Sequence, residues 1–207
     1  MDTLTVLLLL LGIHLTVSER IRPSIRSLAL QGFLLGLLPL LQTPGATWRA
    51  VALCLATVAG KGIAIPAILT RVVSRLDIRE ESESLVSTKA TILLASALTL
   101  AAFVGGSRFG LSGKDELGAA AGLALLFCGL LRMTTRVKAV SQVIGFVLLE
   151  NGIFLLGAVS GSEFALPIEL GIFLDLFVAV FLMGILMFKI QRAFTHMDLR
   201  KIRTLKD

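Results

Sequence analysis

A chain of 207 residues that is 56% hydrophobic and only 16% charged, with mean hydropathy +0.90, is not an ordinary soluble domain. Those proportions describe a bundle of membrane helices. Its two cysteines, Cys54 and Cys128, lie in apolar runs with no CxxC spacing, which excludes a disulfide framework and leaves them as small packing residues.

Seven apolar segments follow in chain order, at about 3–17, 27–42, 48–70, 88–106, 117–132, 139–160 and 165–190. The first opens MDTLTVLLLLLGIHLTVSER and lacks the basic flank and small-residue cleavage site of a signal peptide, so a retained helix is expected. Segments one, two and five are short for a bilayer that needs about 20 residues. Charge placement tests the count. Seven crossings put sixteen basic residues on the side of the C-terminal tail: Arg20, Arg22, Arg26, Arg71, Arg75, Arg79, Lys89, Arg132, Arg136, Lys138 and six in the tail. The other side holds three: Arg49, Arg108 and Lys114. The positive-inside rule then sets the N-terminus outside and the tail in the cytoplasm. The net charge of +6 reads as topology and attraction to anionic headgroups, not as a nucleic-acid surface. Trp48 falls at the outer interface, where indole rings concentrate.

Three ionisable residues remain inside the apolar runs: Lys61, Glu150 and Asp175. A charge at mid-bilayer costs roughly 2.5–3.5 kcal/mol on insertion scales, so each must face protein or water. Lys61 stands in ATVAGKGIAIP between Gly60 and Gly62, with Pro66 five residues on. Proline removes a donor and its ring clashes with the carbonyl four residues back, so this turn is predicted to bend. GKG is no phosphate loop, because position 55 is leucine and glycine follows the lysine. Glu150 is followed by Asn151 in FVLLENGIFLLG. Gly171 and Ala179 flank Asp175 by one helical turn each way, a stripe for close helix packing. His14 and Gln31 lie nearer the cytoplasmic ends of segments one and two.

No haem-ligand set, thiolate cluster, metal-spaced cluster or serine–histidine–aspartate set is present. A line of titratable groups inside a membrane is the equipment of a proton relay, since burial brings carboxylates and amines closer to neutrality. The static alternatives are a protonated Glu150 bonded to a neighbouring helix and a fixed Lys61–Asp175 ion pair. Gln31 reads as an interhelical hydrogen bond and His14 as a hydrated interfacial residue. There is internal order as well. Segments one to three (1–75) and five to seven (115–192) form short–medium–long triplets, with 88–106 as linking helix and 193–207 as cytoplasmic tail. Each triplet has a basic loop before its middle helix, then a polar residue in that helix, Gln31 or Glu150, then an ionisable one, Lys61 or Asp175. This raises the expectation of two parallel three-helix repeats in an all-α membrane protein.

From about Arg136 to Asp207 the chain resembles component E of hydrogenase-4, a membrane subunit of formate-hydrogenlyase-type complexes. The resemblance rests on IGFVLLENG at 144–152, on the acidic residue of GIFLDLFVAVFLMGIL, and on the tail THMDLRKIRTLKD. The N-terminal half is similar more loosely, through GKGIAIPAIL. The C-terminal triplet also looks like the K-type subunit of respiratory complex I and the C-type subunit of multisubunit sodium/proton antiporters. Glu150 matches the first of the two glutamates of the K-type subunit, and Asp175 stands at the second. The resemblance implies a non-catalytic subunit in a prokaryotic cytoplasmic membrane, flanked by antiporter-like subunits and contributing Glu150, Asp175 and Lys61 to a proton pathway. It implies that nickel–iron and iron–sulfur centres sit on partner subunits, with no cofactor on this chain. A cation/proton antiporter without a redox partner is the alternative, and a structural assembly subunit a weaker one.

The charge bias gives a direct test. A reporter fused after Asp207 is expected in the cytoplasm and one at residue 2 outside; both on one side would mean an even number of crossings.

Overall fold

Residues 2–42, 47–75, 84–106 and 114–159 are described by a computed structural model. Within them every regular element is helical: α1 (Asp2–Val17), α2 (Ile21–Gln42), α3 (Trp48–Thr57), a π-helical segment (Val58–Ala64), α4 (Ile65–Arg75), α5 (Thr88–Gly106), α6 (Lys114–Thr135) and α7 (Ala139–Val159). Five stretches are long and apolar enough to cross a membrane: Ile21–Gln42, Trp48–Ser74, Thr88–Gly106, Glu116–Thr135 and Ala139–Val159. With the shorter apolar α1 they make an all-α, multi-pass membrane protein. The seventh predicted segment, with Asp175, and the tail lie outside the described residues.

The second helix corrects the sequence reading. SERIRPSIRS reads as a loop, yet α2 begins at Ile21. Pro23 is its third residue, where the backbone has no intrahelical acceptor to lose. Ile21, Ile25 and Leu28 are already buried at helical spacing. Arg22 and Arg26 therefore belong to the first turns of a membrane helix rather than to a loop. The stretch 84–87, just before α5, is not helical. It is strapped to the end of α6 by Leu85 N–H donating to Thr135 O at 2.8 Å.

Segment three is one rod in three pieces. The bend expected at Pro66 takes the form of a π segment over seven residues. Ile65 N–H bonds to Gly60 O, five residues back, so the ladder widens just ahead of the proline. Side-chain-free positions let α2 press on that widened turn. A Cβ built on Gly32 would stand 2.6 Å from the carbonyl carbon and oxygen of Lys61, and one on Gly36 would meet Val58 Cγ2 at 2.5 Å.

α6 and α7 make the tightest pair. Gly122 and Gly129 on α6 face Gly152 and Gly145 on α7 in antiparallel register. A Cβ on Gly129 would lie 2.5 Å from Leu149 N and 2.7 Å from Gly145 O; one on Gly152 would lie 2.6 Å from Gly122 O. Backbone meets backbone here, which is how helices gain contact where no hydrophobic drive exists between them and lipid. α2 packs against α1, α7 and the π segment, and α1 against α6. α5 lies on α6 and shows Leu93 and Leu100 on its outer face.

Gly129→Ala should lower stability by about 1–3 kcal/mol, because a methyl group must push two backbones apart. Gly105→Ala, which meets only Leu123 Cδ1 at 3.8 Å, should change stability by less than about 0.5 kcal/mol. Denaturation midpoints in one detergent check the contrast.

Candidate functional site

Four polar residues share one level. Lys61 is the fourteenth of the 27 residues of Trp48–Ser74. Gln31 is the eleventh of 22 in α2, and Glu150 and Asn151 are the twelfth and thirteenth of 21 in α7. At 1.5 Å per residue each is about 12–20 Å from its helix ends, the midplane of a 30 Å hydrocarbon layer.

Lys61 Nζ donates to Glu150 Oε1 in a salt bridge buried on both sides. Sequence reasoning offered Asp175 as the fixed partner of Lys61; the structure pairs it with Glu150, and Asp175 lies outside the described residues. The second link is neutral. Asn151 Nδ2 donates to Gln31 Oε1 at 3.0 Å, and Gln31 Nε2 donates to Leu8 O on α1 at 3.1 Å. Glu150 and Asn151, adjacent on α7, thus reach two different helices. One line of polar contacts runs from the π segment through α7 and α2 to α1. Asn151 Oδ1 has no hydrogen-bond partner among the described residues.

Local backbone explains why Lys61 can reach inward. Gly60 and Gly62 carry no side chain beside it, and Gly32 admits α2 onto its carbonyl. The π turn rotates the residues after it relative to an α-helical ladder. His14 is not part of this layer; it is exposed in the last turn of α1.

A second polar cluster escaped sequence reasoning. Arg132 and Arg136 read as cytoplasmic loop charges, yet both are buried, at 0% and 1% exposure. Arg132 donates from Nη1 to Leu15 O and to Ser18 O (3.1 Å), from Nε to Ser141 O (3.3 Å) and from Nη2 to Ser24 Oγ (3.4 Å). Arg136 Nη2 reaches Val17 O at 3.1 Å and Thr16 O at 3.5 Å. Two guanidinium groups therefore cap the open carbonyls at the C-terminus of α1, where the helix dipole favours cations. Burial lowers the pKa of Arg136, with Glu19 opposing. A signal was present: Ala121, Leu125, Cys128 and Arg132 fall at helical spacing and are all buried. Among the described residues no group of histidine, cysteine and carboxylate side chains could hold a metal ion.

No family model matches the chain, and no solved structure matches it. It is 33% identical over 204 residues to the uncharacterized protein Rv0085 of Mycobacterium tuberculosis, covering 97% of this chain and 93% of that one. The chain belongs to the same family as that protein.

A buried pair is tested by removing one partner and then both. Lys61→Met alone and Glu150→Gln alone should each destabilise the protein, by up to about 3–5 kcal/mol, because a charge is left without its partner. The Lys61→Met/Glu150→Leu double variant should recover most of the loss. Additive losses in denaturant titrations would mean that the two residues do not act as a pair.

Proposed function

We propose that this member of the Rv0085 family is a membrane-arm subunit of a redox-driven ion-translocating complex. The type is that of the membrane-bound nickel–iron hydrogenases and formate hydrogenlyases, in a prokaryotic cytoplasmic membrane with the N-terminus outside. Lys61 and Glu150 form one step of its proton path, and Asp175 is assigned to the same path. The observation that carries this reading is the buried salt bridge between two spans at their midpoints.

The chemistry follows from the pair. A proton arriving at the Glu150 carboxylate removes the negative charge that holds Lys61. The ammonium group is then a lone cation in a low-dielectric interior, a costly state. It relaxes by passing its proton on or by turning to another anion. The bridge reforms when Glu150 gives its proton to a neutral Lys61, or gives it onward while Lys61 is still charged. The neighbouring Asn151–Gln31–Leu8 contacts hold α7, α2 and α1 in place while the charges change. In this reading electron transfer belongs to nickel–iron and iron–sulfur centres on partner subunits, and antiporter-like subunits continue the line of charges. The resemblance of IGFVLLENG and GKGIAIPAIL to hydrogenase-4 component E supports the assignment.

Proton uptake into inverted vesicles, normalised to assembled complex, tests the site. Glu150→Gln should lower uptake by at least about tenfold, a loss in the range of removing a positioned acid or base, and Glu150→Asp should keep part of it. The Lys61→Met/Glu150→Leu variant should assemble and not pump. Unchanged pumping in that double variant would reduce the pair to packing. Mass spectrometry of the gently solubilised complex tests the setting: nickel–iron and iron–sulfur proteins are expected, whereas antiporter subunits alone would move the site into a cation/proton antiporter.

A further inference from the structure

A groove of about 580 Å³ lies between α2 and α4, away from the polar layer. Its floor is Ile25, Ala29, Pro66 and Ala67. Arg26 and Arg71 line it from opposite helices, and among the described residues no carboxylate does. Arg26 is five residues from the start of α2 and Arg71 four from the end of α4. Each guanidinium is therefore attached about 6–8 Å inside the same basic end of the bundle, close to headgroup depth. Among the described residues neither has a hydrogen bond or an ion pair.

The hydroxyls beside them bond back to the backbone of their own helix. Thr70 Oγ1 donates to Pro66 O and Ser74 Oγ to Thr70 O, both at 2.7 Å. Outward donation is left to the two arginines. From each arginine the helix face continues toward mid-membrane as exposed apolar side chains: Leu30 and Phe33 beyond Arg26, Ala67 and Ile63 beyond Arg71. An amphiphile with an anionic head and a hydrocarbon tail matches that order. A free anion would leave the apolar floor uncovered, and a soluble peptide would not reach it.

We propose that this groove binds an anionic phospholipid of the surrounding bilayer, with the phosphate held between Arg26 and Arg71 and one acyl chain laid over Ala29, Pro66 and Ala67. Paired guanidinium groups suit a phosphate, and basic pockets between spans recognise anionic headgroups. The lipid would cover the outer side of the rod at Pro66, two residues after the π segment. The site is independent of proton movement.

Native mass spectrometry of the full chain, released from micelles with equal phosphatidylglycerol and phosphatidylcholine, reads the preference. Wild type should retain phosphatidylglycerol. Arg26→Gln/Arg71→Gln should lower that retention roughly tenfold or more, and Ala29→Trp should lower it with both arginines intact. Lys89→Gln/Lys138→Gln, which changes charge elsewhere, should leave it unchanged. Retention in the double arginine variant, or an equal loss in the lysine control, would overturn the site. Displacement of the lipid by inorganic phosphate from wild type but retention in Ala29→Trp would show anion binding without an acyl site and would also overturn it. A photo-crosslinker at Ala67, activated in membranes, should capture a lipid; a polypeptide adduct instead would assign the groove to a partner subunit.

Discussion

Two opposite charges buried at the middle of a membrane constrain everything around them. Lys61 and Glu150 stand 89 residues apart in the chain. Neither charge can be left alone in hydrocarbon, so the third rod and α7 must meet at this level. That meeting requires α2 to fit beside them, and it fits because Gly32 and Gly36 let its backbone lie against the π segment. The glycine-lined contact of α6 with α7 then fixes the other side of Glu150.

The ends of the bundle solve a different problem. α1 is only 16 residues long, and its C-terminal carbonyls finish below the surface of the protein. Two arginines from the α6 end satisfy them. This ties the first helix to the turn of the α6–α7 hairpin. It also removes two of the sixteen basic residues from the surface. The positive charge at that end is partly structural mortar and partly, at Arg26 and Arg71, free to meet anions.

Much of this was legible in the sequence, for physical reasons. A span must be apolar, so the ends of 88–106 and 139–160 fall within a residue of α5 and α7. A charge inside a span must be buried, so Lys61 and Glu150 could be named. Other features stayed hidden. The start of α2 was missed because proline and arginines punctuate loops, although a first helical turn tolerates both. Pro66 signalled a disturbed turn but not its π form, nor that α2 lies against it. Arg132 and Arg136 were missed because arginine after an apolar run is ordinarily a topology marker. Their burial follows from acceptors on α1, more than a hundred residues away. Which carboxylate meets Lys61 was likewise a question of helix neighbours, not of spacing along the chain.

The central claim is that the Glu150 carboxylate changes its protonation as the protein works. Infrared difference spectroscopy of the assembled complex, resting against turning over, observes that event itself. A protonated-carboxyl band that appears during turnover in wild type and is missing in Glu150→Gln is the predicted result. Identical difference spectra from the two proteins would contradict it and leave Lys61–Glu150 as a fixed strut between helices.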